Sequence, residues 1–164
     1  MTLNGSDTMT IYEELLEEAN SSGLIVREKA LSSSDGLIYR NRIAISNNLE
    51  TSVEKACVLA EELGHHFTSI GNILDMKDTW NRKQEQQARL YGYNRMIGLR
   101  GIISAFNAGC QNRYEIAEHL HVTETYLQEA IDCYTGKYGE YITVDNYVIY
   151  FIPNLVSAEQ TENT

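Results

Sequence analysis

Apolar residues recur along this chain first at helical spacing, then at strand spacing, then at helical spacing again. From Thr10, Ile11, Leu15, Leu16 and Ala19 return every three or four residues, with Glu13, Glu14, Glu17 and Glu18 between them. That pattern predicts an amphipathic helix ended near Gly23. Three short apolar runs follow, Leu24-Ile25-Val26, Leu37-Ile38-Tyr39 and Arg42-Ile43-Ala44-Ile45, broken by the Ser32 to Gly36 turn and by Arg40-Asn41. They predict a small antiparallel sheet, its tight turn at Arg40-Asn41 resting on asparagine's tolerance of positive φ.

From about Thr51 to Ile70, Ala56, Leu59, Ala60, Leu63, Phe67 and Ile70 fall on one helical stripe that should face the core. A second long helix is expected from about Thr79 to Ile97. It carries Trp80, Gln84, Ala88, Tyr91 and Arg95 along one side and Glu85 and Arg89 along the next, so the two helices can face each other antiparallel. Shorter helices are expected near 102–108, 113–120 and 123–134, followed by a terminal hairpin, Tyr141 to Val144 and Tyr147 to Ile152, turning at Asp145-Asn146 and ended by Pro153. Residues 1–9 read as a disordered or tag-like start and 157–164 as a polar tail without packing signals, leaving one domain over 10–156. The fold class is α+β, mainly helical.

Composition narrows the function classes. The chain has 164 residues, enough for one core, and a formal charge of -10. A grip on nucleic acid needs Lys and Arg to displace counterions, so direct nucleic-acid binding is not expected, nor is an anionic membrane as partner. No stretch reaches the roughly 18 apolar residues of a spanning helix, and no basic-then-apolar leader opens the chain, so the expected location is cytoplasmic. Cys57, Cys110 and Cys133 are odd in number and far apart, which reads as reduced, mostly buried thiols.

The residues with chemistry lie in Glu61-Glu62-Leu63-Gly64-His65. Glu61 and His65 are four residues apart, so on a helix their Cβ atoms stand about 5 to 6 Å from each other and one metal ion can touch both. Glu62 is turned by about a hundred degrees, beside the ion, where a general base belongs. A catalytic zinc normally takes three side chains, and Glu85, one helix later, is the candidate third ligand. The bland reading stays open, because acidic residues next to histidine are common on solvated helices. Cys57, one turn before Glu61, is either a soft ligand or, more simply, a buried thiol. His66 reads as an outer or surface group, His119 and His121 as structural or exposed, and the C-terminal tyrosines as packing.

Arg42 to Ile45, then Glu54 through Phe67, resemble the strand and active-site helix of ImmA/IrrE metallopeptidases, and Glu85-Gln86-Gln87-Ala88-Arg89-Leu90-Tyr91 resembles their second metal helix. The resemblance spans about Thr10 to Val156 and implies a zincin-like metallopeptidase domain. By position it puts a metal-binding residue at Glu61, the general base at Glu62, and further ligands at His65 and Glu85. The departure is Glu61, where the family has histidine. The resemblance implies zinc as the metal; two carboxylates with one imidazole lessen its Lewis acidity and suit another, harder divalent metal somewhat better. The resemblance further implies a bacterial prophage or mobile-element protein that cleaves or inactivates a helix-turn-helix repressor, with Glu62 activating a water polarised by the ion. An acidic surface suits such a basic partner.

Two rivals remain. A silent relative would bind the repressor without cutting it. A helix-turn-helix DNA-binding protein is the other, since Ile116 to Val122 followed by Tyr126 to Ala130 has the right apolar spacing. Against it, Glu124, Glu129 and Asp132 would face phosphates, and neither Lys nor Arg occurs between Arg113 and Lys137.

Overall fold

The computed structural model describes residues 8–69 and 78–159, with side chains from residue 82 in the second stretch. Ile70, assigned to the core stripe above, and the Trp80 side chain, placed along one side of the second long helix, lie outside the described residues. The first helix, α1 (Ile11–Ser21), starts at a capping box: the Thr10 hydroxyl accepts from the Glu13 amide and the Glu13 carboxylate accepts from the Thr10 amide. Leu15 and Ala19 are its fully buried face.

The first sheet contains β1 (Ile25–Lys29), β2 (Gly36–Tyr39) and β3 (Arg42–Ser46) in the order β1-β3-β2. It is mixed, not antiparallel as expected: β2 and β3 form the hairpin, but β1 runs parallel to β3, with Val26 opposite Ile43. Period-2 alternation fixes which face a strand buries, and says nothing of the direction of its neighbour. With β2 on one edge of β3, β1 takes the other edge and still delivers Val26 to the side where Ile43 and Ile45 are buried. The turn is at Arg40-Asn41, but the left-handed backbone belongs to Arg40 (φ 54), whose guanidinium lies over the Tyr39 ring. The expectation that asparagine carries it was wrong.

One long helix packs on β2 and β3, and a second packs on the first. Thr51 caps α2 (Ser52–Thr68) through a bond from the Glu54 amide, and α3 (Asp78–Met96) packs against it. Gly64 of α2 lies against Ala88 of α3, and Ala60 against Gly92, so the helices are antiparallel. The α2 stripe is buried as expected at Ala56, Leu59, Ala60 and Leu63; Phe67 departs from it, 45% exposed, its ring resting on Tyr91. It sits at the last turn of α2, beyond the core. On α3 the buried residues among those described are Gln84, Ala88, Gly92, Tyr93 and Met96, while Arg95 turns to α1 and pairs with Glu18 and Glu14.

The chain continues through α4 (Gly98–Asn107), α5 (Arg113–Leu120) and α6 (Glu124–Tyr138) to a second sheet, β4 (Tyr141–Val144), β5 (Tyr147–Tyr150) and β6 (Val156–Glu159), paired in that order and antiparallel. The hairpin turns at Asp145 (φ 52) as read from the sequence. The expected polar tail is corrected over its first residues, because Ser157 to Glu159 continue a third strand along β5. Ser157 and Glu159 earn that place through backbone pairing, which a hydropathy pattern does not record. Six helices and six strands thus make up the described residues, a mainly helical α+β fold. No described helix is long and apolar enough to cross a membrane.

Candidate metal centre

The site is made by one close approach. A Cβ on Gly64 would fall 2.1 Å from the Ala88 carbonyl oxygen, so only glycine lets α2 and α3 meet there. Ala88 keeps α3 equally slim, as its place one turn after Glu85 implied. Across this contact, Glu61 and His65 of α2 and Glu85 of α3 converge, and their donor atoms all lie within 4.8 Å of one another. His65 Nε2 and Glu85 Oε2 are 3.4 Å apart. Two donors on a tetrahedral zinc stand roughly 3.4 Å apart, given bonds of about 2.0–2.2 Å, so this pair already has ligand spacing, with a Glu61 oxygen within 4.8 Å of both. One imidazole and two carboxylates, half-buried, fit a divalent ion.

Glu62 is in a different setting from its neighbour. It is 8% exposed, and its carboxyl is pushed up to about 7 by burial first, then by the charges of Glu61 and Glu85. Its carboxylate occupies room left by Gly36 on β2: a Cβ there would come within 2.7 Å of Glu62 Oε1 and 2.6 Å of Val58 Cγ1. Glu61 is also raised, by burial above all, with the Arg89 guanidinium pulling the other way. The hundred-degree step between consecutive helical residues therefore separates two jobs: Glu61 turns to α3 and Glu62 to the strand.

Arg89 and Gly36 are the residues that sequence reasoning did not assign to the site. Arg89 Nε donates to Glu85 Oε1 at 3.0 Å and lies 3.8 Å from Glu61 Oε1. The i,i+4 spacing from Glu85 was the available signal. For Gly36 the sequence offered only a turn glycine.

The other candidates fall outside the group. Cys57 is buried beside Thr123, its thiol pushed up to about 11 chiefly by burial, which is the behaviour of a packed thiol. His66 meets the Phe67 ring edge-on. His119 Nε2 is 3.2 Å from Ser104 Oγ, and His121 ends α5 in the left-handed region (φ 55). That residue makes the short turn between α5 and α6, where the helix-turn-helix spacing was noted. Tyr126, Leu127, Ala130, Ile131 and Tyr134 of α6 are buried, while Glu124, Glu129 and Asp132 face out. The exposed side of α6 is thus acidic, opposite to what phosphates attract.

A family model described as the IrrE N-terminal-like domain, a peptidase family, matches residues 8–132. The match takes in α1, the first sheet, both helices of the site and most of α6. No curated protein and no solved structure matches the chain.

Proposed function

We propose, from the premise that the chain belongs to the IrrE N-terminal-like peptidase family, that it is a metal-dependent endopeptidase directed at a helix-turn-helix repressor. The family makes a metallopeptidase-type function the coarse reading. The observation that carries the finer one is the convergence of Glu61, His65 and Glu85, with Glu62 beside them.

His65, Glu61 and Glu85 would hold the ion, zinc or a harder divalent metal, the two carboxylates favouring the latter more than a histidine-rich site does. When bound, the ion supplies Lewis acidity to the peptide carbonyl and to the attacking water. Glu62 takes a proton from that water and returns it to the leaving amine. In the metal-free protein this carboxyl is pushed up to about 7, by burial first; an ion on Glu61 and Glu85 would cancel the two charges that add to the rise and draw it down, leaving an ionised base ready to accept a proton. Gly36 keeps Glu62 in place by leaving it space, and burial keeps bulk water from levelling its basicity. The choice of substrate rests on the resemblance and on the net charge of -10, which speeds encounter with a basic DNA-binding protein.

A second reading, a silent member that binds the repressor without cutting it, draws support from Arg89, whose guanidinium already pairs with both acidic ligands. Incubating the repressor with zinc-loaded wild-type and Glu62→Gln protein separates the two. The endopeptidase reading expects cleavage that chelator stops and that falls at least about a hundredfold in the variant, the usual scale for losing a general base. Complex formation with intact repressor in both samples would establish the silent binder instead.

A further inference from the structure

Glu85 divides its two oxygens between two sides. Oε2 faces His65 Nε2 at 3.4 Å, on the side of the donor cluster, while Oε1 accepts from Arg89 Nε at 3.0 Å. The same guanidinium reaches across to α2, 3.8 Å from Glu61 Oε1. Its side chain is half-exposed, so it can stay on the carboxylates or turn to solvent. Arg89 and a divalent ion therefore draw on the same two negative charges, at Glu85 through different oxygens.

The charge balance gives this a consequence. Glu61 and Glu85 together carry two negative charges, which would repel each other across the helix contact. Arg89 offsets one of them. With Glu62 counted as protonated, a divalent ion entering the site then leaves an excess positive charge, where the same site without Arg89 would be neutral. At roughly 7 Å from the ion, the sum of a hydrogen bond, a carboxylate and a metal bond, one like charge lowers the binding constant close to tenfold even at the dielectric of water.

We propose that Arg89 is an internal counter-cation of this centre, holding Glu61 and Glu85 together in the metal-free protein and weakening the hold on the metal, so that occupancy follows metal supply. The inference rests on Glu61, His65 and Glu85 being a metal site. It makes Arg89 a regulator of that site and gives it no part in the proton transfers.

Zinc and manganese affinities of wild-type, Arg89→Gln and Arg89→Lys protein, measured by calorimetry and chelator competition at one pH and ionic strength, test it. Arg89→Gln should bind about tenfold more tightly and Arg89→Lys within about twofold of wild type, because lysine restores the charge without the fork. In the metal-free state Arg89→Gln should melt below wild type and gain more from added zinc. Equal or weaker binding by a folded Arg89→Gln protein overturns the inference while leaving the metal site standing. If wild type and both variants are folded, by circular dichroism, and none takes up either metal, the metal site itself is refuted and the inference with it.

Discussion

Glu62 keeps its proton in the fold to about pH 7, against an ordinary carboxyl value of 4.5. Between those values the folded chain holds a proton that the unfolded chain has released, so stability falls as pH rises through this window. Below the lower value both states are protonated and Glu62 costs nothing; above the upper one the cost is complete, about 3 kcal/mol for a shift of this size. Glutamine has the shape of the protonated side chain and no charge to desolvate. Chelator-treated Glu62→Gln protein is therefore expected to be more stable than wild type at pH 8, with the advantage shrinking towards pH 5. Urea unfolding at pH 5, 6.5 and 8 measures it, and a difference that stays constant over that range would refute the burial of charge at this position. The direction of Glu62 was legible in the sequence, since it is one step along the helix from Glu61. Its altered affinity for the proton was not, because that comes from Gly36 and from two carboxylates that only the fold brings near.

At the scale of elements, the α2–α3 contact decides whether there is a site. The helices themselves were readable: apolar residues every three or four positions fix the face, and Glu85 lies on the face beside Ala88. The strand β1 was harder, because alternation leaves the parallel and antiparallel choices equal, and β6 harder still, having backbone pairing with few buried side chains. Gly64 was in plain view as a helix-interior glycine, a residue about 1 kcal/mol worse than alanine there, and that penalty is the sign of a close approach. The approach sets a clear expectation for Gly64→Ala. Its Cβ would meet backbone at Ala88, not a yielding side chain, so α3 has to move outwards and takes Glu85 away from His65. We expect a loss of about 1–3 kcal/mol in stability, in spite of alanine's better helix propensity, and zinc affinity lower by more than tenfold. Unfolding and calorimetry on the same preparation check both; unchanged zinc binding in a destabilised variant would show that Glu85 is positioned by something other than this contact.

For the whole molecule, the family match and the folded core have different limits. The match stops at residue 132, yet Tyr134, Ile149, Phe151 and Leu155 are all buried further on. Phe151 stacks on Tyr138 and leans on Tyr134, whose hydroxyl donates to Asn94 Oδ1 of α3 at 3.0 Å. The second sheet thus braces the helix that carries Glu85, although it contributes none of the site's side chains. Alternating tyrosines and valines announced its hairpin in the sequence; that the hairpin seals the core was not written there, because what it seals comes from α4 and α6. If the brace is structural, Phe151→Ala should lose about 3–5 kcal/mol, the usual range for emptying an aromatic core position, and keep its zinc affinity within a few-fold of wild type. A chain ending at Gly139 goes further, uncovering Tyr134 and Tyr138 together, and is expected to lose cooperative unfolding and aggregate. Urea melts and light scattering of the two variants beside wild type decide the matter. A sharp, wild-type-like transition in the shortened chain would mean that the matched region folds alone and that the C-terminal sheet is an appendage to it.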